Sequence, residues 1–322
     1  MSVSTNSGVL FLDFDSLDRG DLNLTPLQAV APLRCLAFAN ADDASGEDAD
    51  AWCVIVNKVI LTRDYFAAHP NLRLVCIAAT GTNNVDIEAA AEYGVAVVHC
   101  QGYCTDTLAQ HVLMLILALC RSLPQYQADV ARGDWSRSPM FCLLNHPIRE
   151  VGGMKLGILG YGAIGQRVSE LASALGMSIV IGERPGQQAR EGRVSFEDML
   201  SSCDVVSLHC PLTSETEGMI DEDALRRMRP DALLINTARG GLVKEEALVK
   251  ALREGRIAGA AVDTVSSEPP PADNPLIEAN LPNLIITPHC AWGSRQARQN
   301  VVQQTAENIA AFLNSERLRR VV

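Results

Sequence analysis

Along the first hundred residues, short apolar runs alternate with mixed polar and apolar stretches. Runs at 9–12, 34–38, 53–56, 74–77 and 95–98 have the length and continuous hydrophobicity of strands buried on both faces. Stretches between some of them, such as 87–93, read as helices. Strand and helix in alternation predict a parallel sheet covered by helices.

A long apolar helix is predicted over 107–121, and then the pattern breaks. Residues 123–150 hold Pro124, Gly133, Pro139 and Pro147, with Trp135 and Phe141 among them. The segment reads as an ordered crossing between two domains. From Lys155 the alternation restarts, with strands expected at 155–160, 178–182, 204–209, 232–237, 258–263 and 284–287. The last helix, 294–314, comes after this second sheet is complete and is expected to return to the first domain. The division predicted is therefore 1–104 plus 293–322 for one domain and 105–292 for another inserted into it.

Composition narrows the classes. With 48% apolar and 20% charged residues among 322, the chain is of ordinary globular make-up. The net charge of −11 speaks against nucleic acid as a partner. The longest apolar stretch, 112–120, is too short to span a bilayer, and residues 1–8 lack a basic leader. No membrane partner and a cytoplasmic location are expected. Ten cysteines occur without a Cys-x-x-Cys or a zinc-type array, so reduced core thiols and no metal are expected.

The sequence Gly160-Tyr161-Gly162-Ala163-Ile164-Gly165 has the form G-x-G-x-x-G. It follows a predicted strand and opens a predicted helix, the context in which this motif holds a dinucleotide. Gly160 permits the turn, Gly162 a close approach of backbone to pyrophosphate, and Gly165 close packing of helix on strand. The helix start offers free N–H groups to phosphate. The next strand ends at Glu183, placed to accept the ribose hydroxyls. A carboxylate there favours NAD(H), while Arg184 beside it keeps NADP(H) as the alternative.

Three later strand ends carry reactive side chains. Arg239 follows Asn236-Thr237-Ala238, Asp263 and then Glu268 follow 258–262, and His289 follows Thr287-Pro288. An arginine fork matches a carboxylate. A histidine moves a proton near neutral pH, and a neighbouring carboxylate fixes its tautomer. Beside a nicotinamide, this set suits interconversion of a 2-keto acid and a 2-hydroxy acid.

These segments, with Gly240-Gly241-Leu242-Val243, Glu268-Pro269 and Pro288-His289-Cys290-Ala291-Trp292, resemble the D-isomer-specific 2-hydroxyacid dehydrogenases over nearly the whole chain. Gly81-Thr82-Asn83-Asn84-Val85-Asp86, Gly102-Tyr103, Ala109-Gln110-His111 and Asn57-Lys58-Val59 are most similar to the glycerate dehydrogenase/hydroxypyruvate reductase branch. The resemblance implies an α/β architecture of two Rossmann-like parallel-sheet domains. In it the dinucleotide-binding domain is inserted into a flavodoxin-like substrate domain. It implies Arg239, Glu268 and His289 as the catalytic set, and substrate contacts from Asn57, Thr80, Gly81, Arg239, His289 and Trp292. Around the cofactor it implies Thr80, the glycine turn with Ala163 and Ile164, Glu183, Cys210, Pro211, Thr237, Ala238, Arg239, Asp263, His289 and Trp292. It also implies a homodimer.

Two departures stand out. The family usually has Asp at the Glu183 position, and an aliphatic residue at Cys290, where a thiol would make the site thiol-sensitive. The activity expected is reduction of hydroxypyruvate or glyoxylate, or oxidation of D-glycerate. Rivals are an NADH-sensing corepressor-like interaction protein and a dehydrogenase of the same fold acting on another small acid such as phosphite. Formate dehydrogenases of this fold carry Gln where this chain has Glu268. The remaining histidines, His111 and His209 among them, read as packing or capping residues.

Overall fold

Two sheets, one of five strands and one of six, form the cores of two compact units in this computed structural model. Every strand in them runs parallel to its neighbours. Residues 8–37 and 50–322 are described. Phe38 of the predicted second strand and residues 1–7, expected to hold no basic leader, lie outside them. One unit is Met1–Cys104 with Gly293–Val322, the other Thr105–Trp292.

In the first unit, β1 (Val9–Phe11), β2 (Leu33–Cys35), β3 (Cys53–Val56), β4 (Leu74–Ile77) and β5 (Ala96–His99) lie in the order β2-β1-β3-β4-β5. Strands β1, β3 and β4 are buried along their whole length, which is why they read as unbroken apolar runs. Leu10, Val54, Val75 and Val97 fill one core with Phe66 and Ala89 from the covering helices. The final helix, Arg295–Leu313, packs on β4 and β5. Arg298 in it forms a two-pronged pair with Asp21, both bonds 2.7 Å.

In the second unit, β6 (Lys155–Leu159), β7 (Ser178–Gly182), β8 (Val205–Leu208), β9 (Leu233–Asn236), β10 (Gly259–Val262) and β11 (Leu284–Ile286) are ordered β11-β10-β9-β8-β6-β7. The direction of strand succession reverses between β6 and β8. In such sheets the crevice for a ligand opens at the carboxyl ends of the strands where this happens. Met199, Val206, Leu234, Leu248 and Ala260 belong to its core.

One expectation is corrected. The 123–150 segment is not a crossing, since it belongs wholly to the second unit and is helical over Leu123–Ala131 and Asp134–Arg137. Pro124 does not break the chain's helical pattern: it sits in the first helical turn, where its missing N–H costs nothing.

Candidate active site

The registers of β9, β10 and β11 place the site. Asn236 pairs with Val262, and Val262 with Ile286. Thr237, Asp263 and Thr287 thus leave three adjacent strands at one level, and the loops carrying Arg239, Glu268 and His289 start together.

His289 Nδ1 donates to Glu268 Oε2 at 2.5 Å, and Glu268 Oε1 accepts from the Val265 N–H at 3.0 Å. This fixes the proton on Nδ1 and leaves Nε2 for chemistry. The backbone of His289 lies in the left-handed region at φ 50°, a conformation that a non-glycine residue holds only when its surroundings impose it. The His289 N–H accordingly reaches both the Asp263 and Thr287 carbonyls at 2.9 Å.

Asp263 does more than the sequence suggests. Its buried carboxylate accepts from Thr287 Oγ1 at 2.5 Å and from the Cys290 and Ala291 N–H groups at 3.0 Å. It clamps the turn that presents His289. His111 Nε2 lies 3.1 Å from Thr287 Oγ1 and 3.7 Å from Asp263 Oδ1. Burial pushes the His111 imidazole toward its neutral form, against the pull of the Asp263 charge. Sequence alone makes this histidine a bland packing residue; it is tied to the turn that carries the candidate acid/base. Glu245, which no sequence signal picks out, accepts from Ser266 N–H and Asn274 Nδ2, each at 2.7 Å, and steadies the segment that bears Glu268.

Arg239 sits in a loop that folds on itself. Asn236 Nδ2 donates to the Arg239 carbonyl at 2.8 Å, and the Ala238 N–H to Asn236 Oδ1 at 3.1 Å. Next to it, a Cβ on Gly240 would lie 2.0 Å from the Val265 carbonyl carbon. Only glycine permits this approach, so the Arg239 loop touches the backbone that leads to Glu268. Trp292, half-buried, donates from Nε1 to the His289 carbonyl at 2.9 Å.

The glycine turn adjoins the β8 end. Gly160 has φ 97°, and a Cβ there would lie 2.5 Å from Cys210 N. The turn therefore rests on His209 and Cys210, with Pro211 exposed just beyond. A Cβ at Gly165 would come within 2.2 Å of the Gly160 carbonyl oxygen, whereas one at Gly162 would meet nothing within 4 Å. Gly162 and Ala163 are exposed at the start of the helix Ala163–Ala174, with Ile164 half-buried. The open cradle at Gly162 fits a pyrophosphate. Thr237 Oγ1, buried without a hydrogen-bond partner, fits a ligand that supplies one. His209 Nε2 lies 2.9 Å from Ser207 Oγ, and burial lowers its pKa to about 4.

Three expectations change. Glu183 does not present its carboxylate: Arg190 Nε and Nη2 grip both oxygens at 2.6 and 2.9 Å. Asn57, expected on substrate, is buried. Its amide donates to Ser16 Oγ at 3.0 Å and its N–H to Asp13 Oδ1 at 2.9 Å, so it shapes its loop. Burial first, and the Asp263 charge after it, push the Cys290 thiol up, which disfavours the reactive thiolate. Thr80 is exposed and Gly81 half-buried after β4 in the first unit. The Thr80 carbonyl lies 2.8 Å from His99 Nδ1.

Known proteins resemble this chain in sequence and in fold. The family described as D-isomer specific 2-hydroxyacid dehydrogenase, NAD binding domain, matches residues 113–291. Glycerate dehydrogenase of Methylorubrum extorquens is 44% identical over 80% of this chain and 82% of its own. Hydroxypyruvate reductase of Blautia hydrogenotrophica is 34% identical over 95% and 96%. The crystal structure of a Thermus thermophilus protein superposes with a TM-score of 0.84 at 31% identity, covering 98% of this chain and 99% of that one. The chain belongs to the D-isomer-specific 2-hydroxyacid dehydrogenase family, in its glycerate dehydrogenase branch.

Proposed function

We propose that this enzyme interconverts a small D-2-hydroxy acid and its 2-keto acid, with hydroxypyruvate or glyoxylate as the reducible substrate and D-glycerate as the oxidisable one. The observation that carries the reading is the His289–Glu268 pair at 2.5 Å, set beside Arg239 at the ends of adjacent strands. The names of the two relatives above support the choice of substrate.

Arg239 would hold the substrate carboxylate with its guanidinium fork. His289 Nε2–H would donate its proton to the C2 carbonyl oxygen. A nicotinamide dinucleotide held there would supply the hydride. Glu268, bonded at Nδ1, keeps the ring oriented through the transfer and meets the positive charge of the doubly protonated imidazole. In oxidation the neutral Nε2 takes the hydroxyl proton. The dinucleotide would lie on the Gly160–Gly165 turn, with its pyrophosphate at the Gly162 N–H and a polar group against Thr237 Oγ1. Cys210, Pro211, Ala238, Asp263 and Trp292 are proposed as its further contacts. Thr80 and Gly81 rest on the family resemblance alone as substrate contacts.

A panel of 2-keto acids assayed with each reduced cofactor tests the reading. Hydroxypyruvate and glyoxylate should turn over best. His289→Gln should lower kcat by about 10²–10⁴ while cofactor still binds. Wild-type turnover in that variant would refute the assigned acid/base.

We also infer a homodimer. Among residues 123–148, Trp135 is exposed by 52%, Leu144 by 75% and Phe141 by 87%, with Leu123, Val130, Met140 and Ile148 also exposed. So many large exposed apolar side chains within one stretch of chain point to a protein interface, and a second copy is the simplest symmetric occupant.

A further inference from the structure

The acid expected to read the adenosine ribose is shut away. Leu159 pairs with Gly182, so the Gly160 turn and Glu183 leave neighbouring strands at one level, as a dinucleotide site requires. Yet the Glu183 side chain is only 3% exposed. Arg190 binds both its oxygens, and Arg193 Nε lies 3.4 Å from Oε1. The hydrogen bonds from Arg190 hold Glu183 below the usual carboxylate range, so it remains a charged partner of these arginines. A ribose diol would have to displace a bidentate ion pair to reach it.

What is open there is positive. The Arg190 side chain is 66% exposed and that of Arg184 is 40% exposed. Arg184 has one weak partner, the exposed Glu215, at 3.3 Å, a pair worth little in water. Arg190 spends its Nε–H and one Nη2–H on Glu183, and a guanidinium has five N–H groups. Three remain to donate elsewhere. Arg184 and Arg190 thus stand exposed beside a carboxylate already neutralised.

We propose that this chain prefers the 2′-phosphorylated dinucleotide, NADP(H), and that Arg190 and Arg184 together grip the 2′-phosphate while Arg190 cancels the charge of Glu183. The inference rests on the proposed dinucleotide site. It reverses the preference that a carboxylate at this position suggests from sequence. Glu reaches one methylene further than the usual Asp, and that reach goes to an arginine seven residues on in the same chain segment.

Binding is measured by calorimetry with 2′,5′-ADP and with 5′-AMP, which differ only in the 2′-phosphate. The wild type should bind 2′,5′-ADP at least ~10-fold more tightly, and kcat/KM should favour NADPH over NADH in the same sense. Arg190→Ala and Arg184→Ala should each cut 2′,5′-ADP affinity about 10- to 100-fold, the worth of one charged contact. In Arg190→Ala, 5′-AMP should bind no worse, because Glu183 is uncovered for the ribose. Equal or tighter binding of 5′-AMP by the wild type would overturn the proposal. So would a 2′,5′-ADP preference that survives both substitutions. Tight NADH with weak NADPH defeats this inference alone, whereas failure of both to bind defeats the dinucleotide site with it.

Discussion

Asp263→Asn isolates the clamp behind His289. The substitution keeps shape and volume but turns one acceptor oxygen into a donor. The carboxylate serves three donors: Thr287 Oγ1 and the N–H groups of Cys290 and Ala291. If the amide nitrogen takes the Oδ2 place, it faces the Ala291 N–H, buried in the protein, and that donor loses its acceptor. If it takes the Oδ1 place, the Cys290 N–H loses its acceptor and Thr287 must rotate. A buried unsatisfied N–H costs ~1–3 kcal/mol, and the loss of charge weakens the bonds that survive. The sum is about 2–4 kcal/mol of stability. The catalytic effect should exceed what stability accounts for. His289 holds its left-handed φ of 50° because the turn is fixed on both sides. A relaxation of about 1 Å at a proton donor costs ~10²-fold in rate. Urea unfolding at pH 7 reads the first quantity, and kcat for hydroxypyruvate reduction in the folded variant reads the second. Stability within ~0.5 kcal/mol of wild type would refute the hydrogen-bond accounting. Lost stability with unchanged kcat would show that Asp263 supports the fold but does not position His289.

His209 predicts a pH effect. Its pKa falls from 6.5 to about 4 on folding, so between those values the unfolded chain binds a proton that the folded one refuses. Stability is full above pH 6.5 and declines toward pH 4, by about 2 kcal/mol between pH 7 and pH 5. His209→Gln should flatten that part of the urea-derived profile, and an unchanged slope would refute the assignment. The glycines of the turn should separate fold from function. Gly165→Ala should lose ~1–3 kcal/mol by overpacking against the Gly160 carbonyl, whereas Gly162→Ala should unfold like wild type within ~0.5 kcal/mol and raise cofactor KM. Equal stability losses in the two would contradict the geometry. Phe141→Asp should shift the sedimentation of the protein from dimer to monomer, and a wild-type profile would remove that surface from the proposed interface.

Much of this is legible in the chain itself. Strands buried on both faces leave unbroken apolar runs, so β3 and β4 can be bounded to the residue. A histidine and a glutamate just past such runs stand where strand-end chemistry collects, and they meet at 2.5 Å. The misreadings share another cause. Glu183 is a carboxylate in the right place, but whether it faces a ligand depends on how residues 184–194 fold back, and no local pattern encodes that. Asn57 likewise owes its burial to Asp13 and Ser16, distant in sequence. Pro124 breaks a helix or begins one according to register alone. The Asp263 clamp offers no local signal, since its three donors lie on the next strand's turn.

The close approach at Gly240 bears on how such an enzyme can change over time. With no side chain between it and Val265, the loop of Arg239 and the segment leading to Glu268 cannot spread or slide independently. In the proposed reaction they would act as a rigid gauge for the part that every 2-keto acid shares, the carboxylate and the carbonyl next to it. What hangs from the third carbon is not measured there. New substrates would thus be gained through residues away from these loops, leaving the gauge untouched while the selectivity drifts.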